Sequence, residues 1–283
     1  MDLHRKGRDN MKIRKIVILL LVVIIIFVSC VVENNHLTIS HYEYCSQKVE
    51  MGFDGFKLVQ LSDIHNARFG KDSGRLFKAV REQAPDIIVV TGDVVDIHTR
   101  DILVPIQLMS GLTEIAPVYY VTGNHEYDLD MDKLEKFITG ISSAGITVLN
   151  NMAVEISKNG ESFYLVGLDD QSLDDTTLED ITRKLDQSRL KILLAHEPQQ
   201  IKNYASFGMD LVLSGHTHGG QIRLPFTGAL FAPGQGLFPE YSDGRYEEGE
   251  STMIVSRGLG NSGVPIRAFC SPEIVTMVLK MQP

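Results

Sequence analysis

The stretch Phe56-Lys57-Leu58-Val59-Gln60-Leu61-Ser62-Asp63-Ile64-His65 sets the pattern on which the fold depends. Its apolar first half predicts a short buried strand. Asp63 and His65 follow at once, two residues apart on an extended segment, so we expect their side chains to lie on the same side. A strand that ends in such side chains predicts a ligand site at its carboxyl end.

The same arrangement occurs four more times along the chain. In each case, donor residues follow an apolar run that predicts a strand. The further clusters are Gly92-Asp93, Gly123-Asn124-His125-Glu126, His196 and Gly215-His216-Thr217-His218. Because ligands of open α/β sheets bind beyond the carboxyl ends of strands, we expect these distant loops to converge on one site.

The donors in these clusters suit divalent transition metals. Asp63 and Asp93 offer carboxylates and Asn124 an amide oxygen, and five imidazoles come from His65, His125, His196, His216 and His218. Such nitrogen and oxygen donors bind Mn, Fe, Zn and Ni, among which we favour Mn. The set is large enough for two metal ions with a shared bridging ligand, and it leaves one imidazole for proton transfer. The sequence predicts a binuclear metallohydrolase, whose most natural substrate is a phosphate ester.

Each cluster taken alone also has a simpler interpretation. Asp93 and Asn124 are common turn formers after a strand. His196, which precedes Glu197-Pro198, fits a helix entry or a core histidine. The His216-Thr217-His218 pair between glycines is a stronger metal signal. Their joint occurrence after strands favours the metal centre.

Strands and helices alternate along the chain with short connections. An edge strand is predicted over 37–44, and the predicted internal strands are 56–61, 86–90, 118–121, 153–156, 163–166, 190–194, 211–213, 253–256 and 274–279. Helices are predicted near 74–83, 101–111, 131–141 and 176–187, with another before residue 211. This alternation predicts an α/β layered fold with mixed sheets.

The ordered blocks resemble the calcineurin-like metallophosphoesterase superfamily. The blocks are Asp63-Ile64-His65, Gly92-Asp93-Val94-Val95-Asp96, Gly123-Asn124-His125-Glu126, His196 and Gly215-His216-Thr217-His218. The likeness runs from about residue 55 to 280, and the trailing Gly219-Gly220-Gln221-Ile222 is similar to a bacterial membrane-associated branch. The resemblance implies a four-layer αββα sandwich of two mixed sheets flanked by helices, with a two-metal site at its apex.

The resemblance also implies a role for each donor. One metal would be held by Asp63, His65 and His218, the second by Asn124, His196 and His216, and Asp93 would bridge them. A metal-bridging hydroxide would attack phosphorus, while His125 would contact the phosphate or protonate the leaving group. Asp96 and Glu126 are expected to position these groups. For Asp96, a helix cap is the alternative.

Charge is distributed unevenly between the N-terminus and the rest of the chain. Residues 1–15 carry a net charge of +4, whereas the whole chain carries −9, which leaves −13 on residues 16–283. An acidic body of this kind does not suit a protein that grips nucleic acid through many phosphates. We therefore expect no nucleic-acid partner.

An apolar run at 16–32 predicts export of the domain that follows. Basic residues precede the run and Glu33 follows it, so the positive-inside rule predicts a cytoplasmic segment 1–15, a transmembrane signal anchor 16–32, a linker with an edge strand 33–55 and an extracytoplasmic catalytic domain 56–283. The alternatives are a lipoprotein modified at Cys30 and a cleaved secreted form. Cys30, Cys45 and Cys270 form no disulfide framework, and we expect them to be unpaired.

The segment between His218 and Thr252 bears on the substrate. It contains seven large apolar side chains among glycines and prolines: Leu224, Phe226, Leu230, Phe231, Leu237, Phe238 and Tyr241. They either pack against the sheet edge or form an apolar wall near the metals. The second interpretation favours a lipid-linked phosphodiester or pyrophosphate. Candidate phosphate contacts, with surface solvation as the alternative for each, are Arg223, Arg245, Arg257 and Arg267.

Two other classes of function stay open at this point. A metal-bearing scaffold without turnover would use the same donors, although such proteins commonly lose ligands and this chain has lost none. A phosphodiesterase or nuclease acting on nucleotides is disfavoured by the acidic body and by the predicted export.

Overall fold

The computed structural model describes residues 2–96, 98, 101–171, 175–224, 226–263 and 266–282. In these residues most strands are short. The strands are β1 (Thr38–Ser46), β2 (Lys57–Leu61), β3 (Ile87–Thr91), β4 (Val118–Val121), β5 (Thr147–Val148), β6 (Met152–Lys158), β7 (Glu161–Gly167), β8 (Lys191–Leu194), β9 (Leu211–Ser214), β10 (Arg223–Leu224), β11 (Gly228–Ala229), β12 (Phe231–Ala232), β13 (Gly236–Leu237), β14 (Gly244–Glu248), β15 (Ser251–Val255) and β16 (Glu273–Met281).

Helices lie between these strands and before them. They are α1 (Asp2–Asn35), α2 (Gly74–Glu82), α3 (Leu103–Thr113), α4 (Asn124–Tyr127), α5 (Met131–Ser143), α6 (Asp175–Thr182) and α7 (Ile201–Ser206). Local sequence accounts for the ends of α5. The Asp130 side chain caps its start by accepting a hydrogen bond from the Lys133 N–H at 3.1 Å, as N-cap residues do. Gly145, with φ +91°, follows its end.

Two six-stranded mixed sheets form the body of the protein. The first has the order β1-β16-β2-β3-β4-β5, and the second has the order β14-β15-β9-β8-β7-β6. Strands β2 to β5 run parallel in the first sheet, and β7, β8, β9 and β15 run parallel in the second. The predicted α/β fold with two mixed sheets is confirmed.

Apolar clusters cover both faces of each sheet. Between the sheets, Leu58 and Val89 of the first pack with Leu165 and Ile192 of the second. Helices α2, α3 and α5 cover the outer face of the first sheet, through residues such as Phe137. Helices α6 and α7 cover the outer face of the second sheet. The layers therefore run helices, sheet, sheet, helices.

The segment ahead of β2 is integrated with this body. The predicted edge strand is β1, which pairs parallel with β16. Phe53 follows it and is buried between the sheets, where its ring makes edge contacts with Phe56 at 5.2 Å and with Phe163 at 4.9 Å between centroids. Residues 38–56 are therefore part of the folded domain, including those that the sequence assigned to a linker.

Helix α1 runs without a break from the basic N-terminal segment through the apolar run. Several of its apolar side chains are exposed, with Ile16 at 56% and Phe27 at 65%. No helix within the described part of the chain combines the length and the apolar character that a membrane crossing needs. The predicted transmembrane helix over 16–32 therefore has no support from the structure. The three cysteines are free, as expected.

The largest difference from the predicted elements lies after His218. Among the described residues of 223–237, a stretch without apolar periodicity, β10 pairs antiparallel with β11 and β12 pairs antiparallel with β13. Phe226 is fully exposed, and Leu237 and Phe238 are 68% and 62% exposed. Packing against the sheet edge, the simpler interpretation of these side chains, is therefore wrong for these three.

A core substitution tests the integration of residues 38–56. Phe53→Ala should lower the free energy of unfolding by about 3–5 kcal/mol, because it removes a buried ring from between two sheets. Met51→Ala is the matched control, since Met51 is 72% exposed and its loss should change stability by at most about 0.5 kcal/mol. Urea unfolding measures both. Equal effects of the two variants would contradict the packing.

Candidate metal centre

The predicted donors lie at the carboxyl ends of parallel strands from both sheets. Asp63, Asp93 and Asn124 follow β2, β3 and β4 of the first sheet, and His196 and His216 follow β8 and β9 of the second. Because the sheets are stacked with these ends on one edge, loops from both face each other. The buried Gln60 side chain joins the sheets there, donating to the Ser214 carbonyl at 2.9 Å.

The first group of donors comprises Asp63, His65, Asp93 and His218. One ligand atom from each lies within 4.8 Å of the others, and all four residues are buried. His65 Nε2 and His218 Nε2 are 3.2 Å apart, and His218 Nε2 lies 3.4 Å from Asp63 Oδ1. Nitrogen and carboxylate donors thus converge on one point.

The second group comprises Asp93, His196 and His216, again with ligand atoms within 4.8 Å of one another. His196 Nε2 lies 3.3 Å from Asp93 Oδ2. Its other ring nitrogen, Nδ1, contacts the Thr91 carbonyl at 2.7 Å, which directs Nε2 into the site. The amide oxygen of Asn124 lies 3.0 Å from His216 Nδ1 and therefore joins this group.

Asp93 belongs to both groups. Its Oδ1 accepts a hydrogen bond from the backbone N–H of His125 at 2.9 Å. Its Oδ2 faces the Nε2 atoms of His196 at 3.3 Å, His65 at 3.6 Å and His125 at 3.8 Å. The arrangement therefore places Asp93 between the two groups, with the His125 ring beside it.

Backbone strain is concentrated at the predicted ligands. Asp63, His65, Asp93, His216 and His218 all have φ between +45° and +70°. Non-glycine residues rarely adopt this left-handed region, and each costs about 1 kcal/mol or more. Surrounding contacts hold them there, such as the His216 N–H, which donates to Asp63 Oδ1 at 3.0 Å. Residues under such strain cluster at functional sites.

Two glycines allow the loops to meet. A Cβ on Gly92 would lie 2.6 Å from the Gly123 nitrogen and 2.7 Å from His196 Nδ1, and Gly92 has φ +88°. A Cβ on Gly123 would collide with Asp93 Oδ1. Neither position has room for a side chain.

Glu126 holds the loops of β3 and β4 together. Its carboxylate is fully buried and accepts from four backbone N–H groups: Asp93 at 2.9 Å, Val94 at 2.8 Å, Val95 at 3.2 Å and Gly123 at 2.7 Å. Burial, and then the nearby Asp93, raise the pKa of Glu126 to about 7. Glu126 thus links the β3 and β4 loops, including the backbone of Asp93, through these hydrogen bonds.

The electrostatics of the site favour bound cations. Burial lowers the pKa of His65 to about 4 and of His216 to about 3, so both rings are neutral and offer lone pairs. For His196 burial acts in the same direction, but Asp93 outweighs it and raises the pKa well above the usual value. A proton on His196 and a metal ion neutralise the same carboxylate, so they compete for this place.

The residues present fit divalent metal ions. His65 and His218 bring two ring nitrogens within 3.2 Å of each other, beside two carboxylates, and a shared cation satisfies all four donors. Burial raises the pKa of Asp63 to about 6. The charged form of this carboxylate is therefore unfavourable unless a cation is bound beside it. His196 Nε2 is buried and lies 3.3 Å from Asp93 Oδ2 without the geometry of a hydrogen bond, so its lone pair is available to a cation.

Two other predicted site residues lie around this centre in supporting positions. Asp96 Oδ1 accepts from the His98 N–H at 2.6 Å, so it closes a turn after β3. Arg267 is fully buried, and its guanidinium donates to the carbonyls of Arg257, Gly260 and Cys270. Arg267 thus shapes the loop that begins at Arg257.

The other three arginines that the sequence offered as phosphate contacts all form ion pairs within the protein. Arg223 pairs with Asp243, Arg245 with Glu247 and Arg257 with Glu273.

Sequence reasoning missed two residues near the site. Asp170, after β7, carries a buried oxygen that has no hydrogen-bond partner among the described residues. Its pKa is raised to about 7 by burial, although His196 acts in the opposite direction. Ser262 Oγ lies 3.5 Å from His125 Nε2. The position of Asp170 directly after a strand is a signal of the kind used for the other donors, whereas Ser262 stands in a loop with no such signal.

The fold and the donor set define an α/β metallohydrolase. A family model described as Calcineurin-like phosphoesterase matches residues 56–220, and the chain belongs to this family. The resemblance in the sequence blocks is thereby confirmed.

Relatives of this family align with most of the chain. The chain is 32% identical over 256 residues to Uncharacterized metallophosphoesterase YkuE of Bacillus subtilis (strain 168), covering 88% of this chain and 87% of the relative. It is 32% identical over 228 residues to Phosphodiesterase YaeI of Escherichia coli (strain K12), covering 79% and 82%. The chain is therefore a metal-dependent phosphoric ester hydrolase.

A solved structure shares the fold at low sequence identity. Sulfate thiohydrolase SoxB of Thermus thermophilus matches with a TM-score of 0.52 and 10% identity, over 80% of this chain and 57% of that one.

Metal stoichiometry tests the shared position of Asp93. We expect the wild-type protein to bind two Mn²⁺ ions, and Asp93→Asn to weaken both by at least about 100-fold, since outer-shell losses alone cost 10- to 100-fold. Asn124→Ala removes a donor from one group and should weaken one ion only. Titration calorimetry with elemental analysis measures both variants. If Asp93→Asn still bound one Mn²⁺ ion with wild-type affinity, Asp93 would not be a ligand shared by both ions.

Proposed function

We propose that this protein is a binuclear phosphodiesterase that cleaves a phosphodiester or pyrophosphate bond. The observation that carries the proposal is the position of Asp93, whose Oδ2 faces a ring nitrogen of each donor group, His196 Nε2 at 3.3 Å and His65 Nε2 at 3.6 Å. A carboxylate shared in this way supports two adjacent ions. Paired divalent ions, when bound, activate water and polarise the phosphoryl oxygens.

The roles of the ligands follow the two donor groups. Asp63, His65 and His218 would hold one ion and Asn124, His196 and His216 would hold the other, and Asp93 would be available to both. Two divalent ions bring four positive charges, and Asp63 and Asp93 return two negative charges. The loaded site is therefore positive, and it attracts a phosphate anion into an otherwise acidic protein. The mixed nitrogen and oxygen donors suit Mn, Fe, Zn and Ni alike, and Mn²⁺ is our first choice among these metals.

His125 is the proton donor to the leaving oxygen in this proposal. Its backbone N–H is fixed by Asp93 Oδ1 at 2.9 Å, and its Nε2 lies 3.8 Å from Asp93 Oδ2. The ring is thus at the edge of the ligand set without being needed to complete either group. This position suits a residue that contacts the substrate phosphate and its leaving group.

An activity assay separates the enzyme from a scaffold that binds metal without turnover. We expect the Mn²⁺-loaded protein to release nitrophenol from bis(p-nitrophenyl) phosphate, and His125→Ala to lower turnover of alkyl phosphodiesters by about 10²- to 10⁴-fold. Bound Mn²⁺, measured by elemental analysis, should stay at two ions per chain. Unchanged turnover in His125→Ala would refute the role of this residue. If the metal-loaded wild type hydrolysed no ester, the protein would be a metal-binding scaffold without turnover.

A lipid-linked ester is the substrate that the surroundings of the site support best. The Gly234 loop approaches the site, since a Cβ on Gly234 would lie 3.6 Å from His216 Nε2. The same insert exposes Phe226, Leu237 and Phe238 to solvent. Such an apolar patch favours binding of an amphiphile or of a lipid surface.

The N-terminal helix α1 ends on the side of the protein that carries the metal centre. At the end of α1, Glu33 accepts from the Cys270 N–H and Asn34 accepts from the Asn261 side chain, both at 3.1 Å. The exposed apolar residues of α1 therefore begin beside the loop that carries Ser262, next to the site. This placement supports an apolar or membrane-borne substrate.

Substitutions in the insert test the lipid proposal. The double variant Phe226→Ser, Phe238→Ser should lower the ratio of kcat/KM for a vesicle-borne phosphodiester to that for bis(p-nitrophenyl) phosphate by about tenfold, because two apolar contacts are lost. Met51→Ser is the control, since it removes another exposed apolar side chain that lies outside the insert. A ratio that stays the same in the double variant would exclude the apolar wall.

The location of the domain is a separate proposal that rests on the sequence. Basic residues followed by the apolar run 16–32 have the order of an export signal. We therefore place the catalytic domain on the extracytoplasmic side, with an uncleaved anchor, a lipoprotein at Cys30 and a secreted form as the alternatives. In cells that produce the full chain, added protease should degrade the domain without lysis. Protection until lysis would contradict export.

A nucleotide-directed phosphodiesterase is the other candidate activity. The net charge of −13 on residues 16–283 disfavours a nucleic-acid substrate.

A further inference from the structure

Thr217 stands between two ligand candidates that belong to different donor groups. His218 is a member of the first group and His216 of the second. Both histidines have left-handed backbone angles, with φ +53° and +70°, whereas Thr217 has φ −83° and ψ −13°. The threonine is therefore the one unstrained residue of this short ligand segment, and a force applied to it acts on both histidines.

The side chain of Thr217 is anchored to a segment that is distant in sequence. It is fully buried, and its Oγ1 donates to the Ser242 carbonyl at 2.7 Å. The backbone bonds around it are local: the Thr217 N–H donates to Gly215 at 2.8 Å, and the Gly220 N–H donates to Thr217 at 2.7 Å. These local bonds close the turn, whereas the bond to Ser242 fixes the turn relative to the rest of the protein.

Ser242 is itself held by the second sheet. Its N–H donates to the Tyr246 hydroxyl at 3.0 Å. Strand β14 begins two residues further on, and its Gly244 pairs with Val255 of β15. Strand β15 in turn pairs with β9, which leads into the ligand loop. The acceptor of the Thr217 hydroxyl is thus tied to the same sheet from which the ligand loop departs.

A second contact joins the loop to this support. Arg223 Nη1 donates to the Gly219 carbonyl at 3.2 Å and to the Asp243 carboxylate. The insert leaves the ligand loop at Arg223 and returns at Asp243, so its two ends meet behind the histidines. Left-handed angles at non-glycine residues persist only where the surrounding structure imposes them, and these contacts supply such a constraint.

We propose that Thr217 is the positioning residue for both metal ions, and that the returning end of the insert, 242–246, sets the metal affinity of the centre through it. The hydroxyl fixes the loop so that His216 and His218 present their ring nitrogens to different ions at the same time. Thr217 is not one of the donors, so it acts only through the two histidines. The assignment rests on the two-metal site of the proposed function.

Removal of the hydroxyl tests this role. Thr217→Val keeps the shape of the side chain but leaves the buried Ser242 carbonyl without its donor. Both Mn²⁺ ions should bind about tenfold more weakly, since the loss of a residue that orients ligands costs about 10- to 100-fold in metal affinity. Thr217→Ser, which keeps the hydroxyl, should restore the wild-type affinities. Titration calorimetry of Mn²⁺ into the metal-free full chain measures all three proteins.

Thr276→Val is the matched control. Thr276 is 2% exposed, and its Oγ1 has no hydrogen-bond partner in the described part of the chain. The same chemical change therefore removes no hydrogen bond and should leave both Mn²⁺ affinities at the wild-type value. Tyr246→Phe removes the acceptor of the Ser242 N–H and should weaken both ions as well. It carries the comparison if circular dichroism shows that Thr217→Val does not fold.

The possible outcomes separate this role from the proposed function. Wild-type affinities in both Thr217→Val and Tyr246→Phe would overturn the assignment, as would a loss confined to one ion or a loss that Thr217→Ser does not rescue. These measurements report metal binding without turnover. A wild type that binds two Mn²⁺ ions but hydrolyses no ester would instead overturn the proposed function and not the role of Thr217.

Discussion

The carboxylate of Asp93 is the point on which the site depends. It is buried at the end of β3, and one of its oxygens is tied to the His125 backbone while the other faces imidazoles. Those imidazoles come from different sheets, since His65 follows β2 of the first sheet and His196 follows β8 of the second. Asp93 can face both only because the two sheets stack with these strand ends on the same edge.

The surrounding structure stabilises an arrangement that is unfavourable locally. Five ligand candidates have left-handed backbone angles, and several buried carboxylates and imidazoles lie within a few ångströms of one another. Glu126 counters this by binding four backbone N–H groups of the β3 and β4 loops, and Gln60 joins the two sheets below the site. The apolar layer between the sheets supports these polar bonds. Bound cations would relieve the remaining electrostatic cost.

Much of the site could be predicted because each donor directly follows a strand. The carboxylates of Asp63 and Asp93 and the imidazole of His216 indicate metal binding by their residue types. Their positions after apolar runs predict that they meet at the carboxyl ends of the strands. The role of Arg267 could not be predicted, because a sequence shows its charge but not the burial that directs it onto backbone carbonyls. The hairpins after His218 are irregular and carry no periodic signal. Ser262 is close to His125 only through tertiary folding.

The two donor groups and the expected chemistry can be judged by one physical property, which is the separation of the bound ions. Two-metal hydrolase sites hold their ions about 3.5–4 Å apart, and Mn²⁺ ions at that distance are magnetically coupled. Electron paramagnetic resonance of the Mn²⁺-loaded full chain, with X-ray absorption for the distance, measures this directly. The account predicts a coupled dimanganese spectrum and a metal–metal distance in that range. An uncoupled six-line spectrum at full loading would contradict it.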